Sequence, residues 1–197
     1  MKYLLLFTLL ILSNRFSFAQ EEINSSFWGQ FGTGISFMKL SDTDVGFNLL
    51  ASLNYEIQNN NFSISYLRSN EFSMFTHPEE YIKSIELKYG RSIDFTIRGL
   101  IFPFPFLLFI NKDFNYSLIV KAGISYNEGR ERTLLIKYEL LDHSYASKVK
   151  TGFGFPIEIE VREEITNFVG MGFSVYANFN EVKNYSGLNF NLYVGKF

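Results

Sequence analysis

Apolar and polar residues alternate along most of the chain with a period of two. From Val45 to Ile57 every odd-numbered residue is apolar, and every even-numbered residue except Leu50 is polar or glycine. Residues 151–162 and 168–180 repeat the pattern. Because side chains of a β-strand point alternately to its two faces, this period predicts strands with one apolar and one polar face.

The alternation predicts eight strands, and no part of it has helical periodicity. Each is close to or longer than the roughly 9–11 residues that a tilted strand needs to cross the hydrocarbon of a bilayer. The predicted strands are 27–38, 45–57, 61–69, 81–91, 114–127, 151–162, 168–180 and 186–196.

The connections between these strands differ in length in a regular way. Tight polar turns at 58–61 and 163–167 fall at one end of the predicted strands. Longer connections fall at the other end, at 39–44, 70–80, 128–150 and 181–185. Outer-membrane barrels have short periplasmic turns and long external loops, so we expect both termini on the periplasmic side. Thr133 to Leu141 is apolar enough to extend the strands beyond the membrane.

The apolar segment from Ser92 to Asp113 is too long for a tight turn. It is compatible with an additional hairpin, which would make ten strands, or with extension of the neighbouring strands. Pro103 and Pro105 argue against a regular central strand, since proline cannot donate to the ladder. We therefore favour a closed, antiparallel, up-and-down transmembrane β-barrel of eight strands, an all-β fold.

The first 19 residues have the features of a signal peptide. Lys2 is followed by an apolar run from Tyr3 to Leu12, and Ser17-Phe18-Ala19 provides small residues at the expected cleavage site. We expect cleavage after Ala19, which leaves residues 20–197 as the barrel domain.

Residue size predicts which face is inside. The interior of an eight-stranded barrel is just wide enough for side chains. The polar face is rich in Gly and Ser, whereas the apolar face carries Phe, Ile, Leu and Tyr. Charged residues make up only 19% of the chain, which is less than a water-exposed face would carry. This favours a membrane barrel over the alternative, a soluble periplasmic lipocalin-like ligand-binding barrel.

Tyrosines expected in the aromatic girdles are Tyr55, Tyr66, Tyr89, Tyr116, Tyr126 and Tyr193.

Composition excludes several classes of function. Hydrophobic residues make up 47% of the chain, and there is no cysteine, so disulfide and thiolate chemistry are absent. Two histidines without cysteine argue against a structural zinc site. The net charge of −2 provides no basic surface for nucleic acid. We therefore predict no cofactor and no metal.

Charged residues on the polar face form the candidate site. In a narrow interior they should pair, because an isolated buried charge is costly. We interpret them as a salt-bridge network that plugs the lumen, with a narrow polar conduit or proton path as the alternative. The residues are Glu56, Glu86, Lys88, Lys121, Glu158, Glu160 and Arg162.

Asp142-His143-Ser144 and His77 are the residues most compatible with catalysis. Some eight-stranded outer-membrane proteins modify lipid A or phospholipid with Ser, His and an acid. Consecutive loop residues do not ensure the required geometry, so we predict no enzyme activity, with an outer-membrane lipid-modifying enzyme as an alternative.

Several short stretches resemble the family of outer-membrane protein β-barrel domains of OmpA/OmpX size. The segment from Tyr185 to Leu192 is similar to the C-terminal signal read by the barrel-assembly machinery, and Phe197 ends the chain as in such proteins. The other stretches are Glu86–Ser92, Ala122–Tyr126, Gly154–Glu158 and Tyr176–Asn180. The resemblance implies a place in the cell outer membrane, with outer-membrane lipid and the assembly machinery as partners. An extracellular ligand or protein would bind the external loops.

Overall fold

A computed structural model describes residues 25–38, 45–71, 80–98, 113–139 and 142–197. They form a closed barrel in which each strand pairs antiparallel with the next, and the last strand pairs with the first. The strands are β1 (Ser25–Met38), β2 (Val45–Ile57), β3 (Asn60–Glu71), β4 (Tyr81–Arg98), β5 (Asp113–Glu139), β6 (Asp142–Glu164), β7 (Val169–Asn180) and β8 (Tyr185–Lys196). The predicted all-β fold with eight strands is confirmed.

Several predicted segments lie outside the described residues. They include the signal peptide at 1–19, the connection at 39–44 and most of 70–80. β4 continues to Arg98 and β5 begins at Asp113, so both ends of the apolar segment from Ser92 to Asp113 extend the neighbouring strands. Residues 99–112 are not described. No helix in the described part of the chain is long and apolar enough to cross a membrane.

Strands β5 and β6 continue beyond the rest of the barrel. β4 begins at Tyr81, opposite Arg130, and β7 ends at Asn180, opposite Gly154. Past these points, as far as residues are described, β5 and β6 pair only with each other, with register shifts after Arg132 and Leu135. The predicted loop at 128–150 is therefore mostly a two-stranded extension, because residues from Gly129 to Glu139 pair with residues from Asp142 to Lys150.

The two ends of the barrel are distinguished by this extension. We call the end from which the β5–β6 hairpin extends the hairpin end. We call the opposite end, where β1 begins and β8 ends, the terminal end. It also carries the tight turn between β2 and β3. Gln58 and Asn59 have φ angles of 49° and 63°, as a two-residue type I′ turn requires.

The two faces of the sheet have opposite chemistry. Outward-facing Ile124 and Phe153 are 64% and 68% exposed, whereas inward-facing Gln30 and Asn48 are fully buried. β1 and β8 approach each other so closely at Gly34 that a Cβ atom there would overlap the backbone carbonyl of Leu188. An apolar exterior around a polar interior is the reverse of the soluble lipocalin-like alternative and is suited to lipid.

Four of the predicted girdle tyrosines are exposed on the outer surface, namely Tyr55, Tyr66, Tyr89 and Tyr126. The prediction is wrong for Tyr193, which is fully buried in the lumen because its neighbours Leu192 and Val194 face outward. Tyr116 is also buried and stacks on Phe95, with 5.7 Å between ring centroids.

Two matched substitutions test the lipid-facing surface. Val175 lies at the middle of β7 and Val149 on the hairpin extension, and their exposures are similar, 56% and 52%. We expect Val175→Arg to lower the free energy of unfolding by about 2–4 kcal/mol, the cost of arginine at a bilayer midplane. Val149→Arg should change it by less than about 0.5 kcal/mol. Urea titration in lipid vesicles measures both, and equal effects would contradict the assignment of the apolar band.

Candidate functional site

Buried charged groups meet near the middle of the lumen. The ammonium nitrogen of Lys88 lies 2.7 Å from Glu158 Oε2 and 2.9 Å from Glu86 Oε2. All three side chains are at most 4% exposed. At this burial, ion pairs are weakly screened, and each charge depends on its partner to offset its desolvation.

A second ammonium group extends this arrangement toward the terminal end. Lys121 Nζ lies 2.7 Å from Glu160 Oε2 and 3.8 Å from Glu158 Oε2. It also donates to Asn54 Oδ1 at 3.3 Å. Glu158 therefore joins the two lysines. Glu86, Lys88, Glu158, Lys121 and Glu160 form one continuous set, which we call the lumen network.

The strand register explains how these side chains reach one another. Lys121 on β5 lies directly opposite Glu158 on β6. Lys88 on β4 lies opposite Gly123 on β5. Because Gly123 has no side chain, Lys88 extends across β5 to Glu158, two strands away.

Neutral polar groups continue the lumen network toward the hairpin end. Glu86 Oε1 accepts hydrogen bonds from Ser84 Oγ at 3.1 Å and from Asn178 Nδ2 at 3.2 Å. The Tyr185 hydroxyl also donates to it at 3.4 Å. Asn178 Nδ2 also lies 3.0 Å from Ser125 Oγ. This oxygen of Glu86 is thus satisfied by donors from several strands.

An apolar group covers the lumen network on its hairpin side. These side chains are at most 6% exposed, and we call them the upper cluster: Leu50, Leu67, Ile82, Tyr176 and Tyr185. Leu50, the exception to the alternation of β2, is thus a lumen residue whose partners come from four other strands. Its unusual place in the alternation was the sequence signal for this cluster.

A second apolar group lies on the terminal side of the lumen network. It consists of Trp28, Ile119 and Tyr193, all fully buried, with Phe197 packed against them, and we call it the lower cluster. Arg162 belongs to this group rather than to the lumen network. Its guanidinium carbon lies 4.2 Å from the Trp28 ring centroid and 4.8 Å from that of Phe197, a favourable cation–π arrangement.

The remaining predicted residue, Glu56, also lies apart from the lumen network. It is half-buried near the terminal end, where Ser92 Oγ donates to its Oε1 at 2.6 Å. Arg162 pairs with Glu164 at 3.5 Å in the same region. Five of the seven predicted lumen charges therefore meet, while Glu56 and Arg162 make separate contacts.

The structure gives no metal-binding assembly in the residues that it describes. No group of three or more His, Cys, Asp or Glu side chains there could hold a metal ion. His77 lies outside the described residues, and so do the side chains of Asp142, His143 and Ser144, whose backbone begins β6.

An exposed ion pair at the hairpin end contrasts with the lumen network. Lys83 Nζ lies 3.1 Å from Glu128 Oε1, and both side chains are about one-third exposed. The Tyr81 hydroxyl donates to the same oxygen at 2.9 Å. Hydrogen bonds from Lys83 and then from Tyr81 lower the pKa of Glu128.

The same substitution in the two settings tests the energetic role of the lumen network. Lys121→Met leaves Glu160 without its ammonium partner, and we expect a loss of about 3–5 kcal/mol in the free energy of unfolding. Lys83→Met, which breaks the exposed pair, should cost less than about 1 kcal/mol. Both are measured by urea unfolding in vesicles, and a loss below 1 kcal/mol for Lys121→Met would refute a structural network.

Comparison with known proteins finds similarity at the level of structure alone. No family model and no curated protein matches the sequence. The structure is similar to that of Neisserial surface protein A, at 16% identity and a TM-score of 0.54, covering 90% of this chain and 100% of that one. It is also similar to the N-terminal β-barrel domain of Pseudomonas aeruginosa OprF, at 11% identity and a TM-score of 0.53, covering 88% of this chain and 99% of that one.

A third similar structure is Ail, the attachment invasion locus protein of Yersinia pestis. In complex with the heparin analogue sucrose octasulfate, Ail has 11% identity to this chain and a TM-score of 0.51, with 90% of this chain and 100% of that one covered. These similarities agree with the predicted location in the outer membrane. The chain has the fold of the small, eight-stranded outer-membrane β-barrels.

Proposed function

We propose that this protein is a non-enzymatic barrel of the cell outer membrane, with a plugged lumen and a structural or surface-binding role carried by its hairpin end. The observation that carries the proposal is the filling of the lumen. Ion pairs occupy its centre, and an apolar cluster lies on each side of them. Transport through the lumen is therefore disfavoured, and the extended strands become the part of the protein that is available for binding.

The lumen network is better suited to closing the barrel than to conducting ions. An eight-stranded barrel has room for side chains but not for an open aqueous channel. A polar conduit or proton path needs continuous polar contacts from end to end. The upper and lower clusters interrupt such a path with Leu67, Ile82 and Trp28, all at most 2% exposed.

The β5–β6 hairpin extension supports the surface role. Its strands pair with each other past Arg130 and Gly154, and no other strand in the described part of the chain pairs with them there. Free backbone donors and acceptors along a strand edge can pair with an extended segment of a partner. Arg130 is exposed and donates to Ser147 Oγ at 2.9 Å, which places a cation at the base of the extension.

The names of two similar proteins support the same surface-binding role. One is a surface protein, and the other is an attachment invasion protein that binds a heparin analogue. For this chain we propose an extracellular ligand or protein as the partner of the hairpin end. We further propose outer-membrane lipid as the partner of the apolar band and the barrel-assembly machinery as the partner of the C-terminal strand during insertion.

Single cysteines test the orientation, because the natural chain has none. Ser147→Cys lies on the hairpin extension, and Thr166→Cys lies in the exposed turn between β6 and β7. We expect a membrane-impermeant maleimide to label Ser147→Cys on intact cells and Thr166→Cys only after the outer membrane is disrupted. Labelling of Thr166→Cys alone on intact cells would reverse the proposed orientation.

Conductance in planar bilayers tests the plugged lumen. The purified full-length protein should give no steady current above that of the protein-free bilayer, since its central charges are paired and covered on both sides. A stable open conductance would contradict the plugged lumen and favour the polar conduit.

A further inference from the structure

A groove of about 610 Å³ crosses the outer surface of the barrel from β1 to β5. Its wall toward the terminal end is an aromatic row that includes Tyr55, Phe62 and Tyr89. Its opposite wall includes Leu87 and Ile124. The volume lies in the range of small-molecule sites, and the walls are suited to a hydrocarbon chain.

The groove is open at β5 because one outward residue there is small. Ala122 lies opposite Tyr89 on β4 and opposite Ile157 on β6. The aromatic row therefore stops at Ala122, where a large side chain would have continued it. The ring centroids of Phe62 and Tyr89 are 5.3 Å apart, so the aromatic wall is itself packed.

A cation lies beside the aromatic wall. Arg91 is the next outward residue after Tyr89 toward the terminal end, and it is exposed. It lies opposite Asn60 on β3 and Val120 on β5, and Ile93 follows it on the same face. Among the described residues, Arg91 has no carboxylate partner. An arginine on a lipid-facing surface is costly unless it reaches an anion at the interface.

Polar groups next to Arg91 indicate that it lies at the level of the lipid headgroups. The Tyr89 hydroxyl donates to Asn60 Oδ1 at 2.7 Å, and Asn60 follows directly on the tight turn of the terminal end. Tyrosine at a bilayer surface places its ring in hydrocarbon and its hydroxyl at the headgroups. Arg91 can thus extend to a headgroup phosphate while the groove lies on the hydrocarbon side of Tyr89.

We propose that this groove is a binding site for one glycerophospholipid, with an acyl chain against the aromatic row and the phosphate held by Arg91. Guanidinium and phosphate are complementary in charge and geometry. A second copy of the chain fits less well, because the groove lining contains no carboxylate to meet Arg91. The site rests on the proposed membrane location, and the proposed orientation places it in the periplasmic leaflet.

Native mass spectrometry of the full-length protein in detergent tests the site, with phosphatidylglycerol as the titrated lipid. We expect one saturable adduct. Ala122→Phe should fill the groove, and Arg91→Gln should remove the phosphate contact. Arg91→Gln should weaken binding by about tenfold, the factor for loss of one charge-assisted hydrogen bond. Ala122→Phe should also weaken it, because the phenyl ring occupies the space of the acyl chain. Diacylglycerol, which lacks the phosphate, should bind the natural chain as weakly as phosphatidylglycerol binds Arg91→Gln.

Two control variants make the same changes elsewhere on the outer surface. Ala177→Phe enlarges an outward alanine on β7, and Arg68→Gln removes an outward arginine near the hairpin end. Both should bind phosphatidylglycerol as the natural chain does. Equal adducts in all variants, or adducts that never saturate, would overturn the site. A dimer that the natural chain forms and Ala122→Phe does not form would also overturn the lipid site, because a second copy of the chain would then occupy the groove.

A gel shift between unboiled and boiled samples verifies the folding of every variant. Absence of the lipid adduct in the natural chain, when its barrel still shows the shift, counts against the lipid site alone. Absence of the shift in the natural chain would instead count against the membrane barrel itself.

Discussion

Backbone hydrogen bonding is the constraint on which the rest of this structure depends. Hydrocarbon offers no partner for a free N–H or C=O group, so a sheet that crosses it must have no open edge. Pairing of β1 with β8, from Phe27 opposite Lys196 to Met38 opposite Tyr185, closes the sheet. Strand edges without a barrel partner lie beyond this closed region, on the β5–β6 extension and on the end of β4 after Ser92.

Closure with eight strands leaves a narrow lumen, and the narrow lumen determines the chemistry inside. Charged side chains that point inward cannot be solvated by bulk water, so they need each other. Lys88 and Lys121 share Glu158, and Gly123 leaves the space through which Lys88 reaches it. Apolar clusters on both sides of the lumen network keep its ion pairs in a low-dielectric interior, where breaking any one of them is costly.

The sequence was sufficient to predict the barrel, with its apolar outer face and polar inner face, because the alternation of residues shows directly which side chains share a strand face. It could not predict which inward residues meet, since contacts across a lumen depend on the register between strands that are not neighbours in sequence. Leu50 and Tyr193 illustrate the difference. Each departs from the expected chemistry of its face, and only the closed barrel shows that Leu50 packs in the upper cluster and Tyr193 in the lower one. The extension of β5 and β6 was predicted only in part, because alternation weakens where the register shifts near Arg132 and Leu135.

The most direct test of the membrane barrel is electrophoresis of outer-membrane fractions with and without boiling. A closed, fully hydrogen-bonded barrel resists detergent until it is heated, so the unboiled protein should migrate differently from the boiled one, and it should be extracted only with detergent. Release of the protein by carbonate washing, together with identical migration before and after boiling, would contradict a membrane barrel.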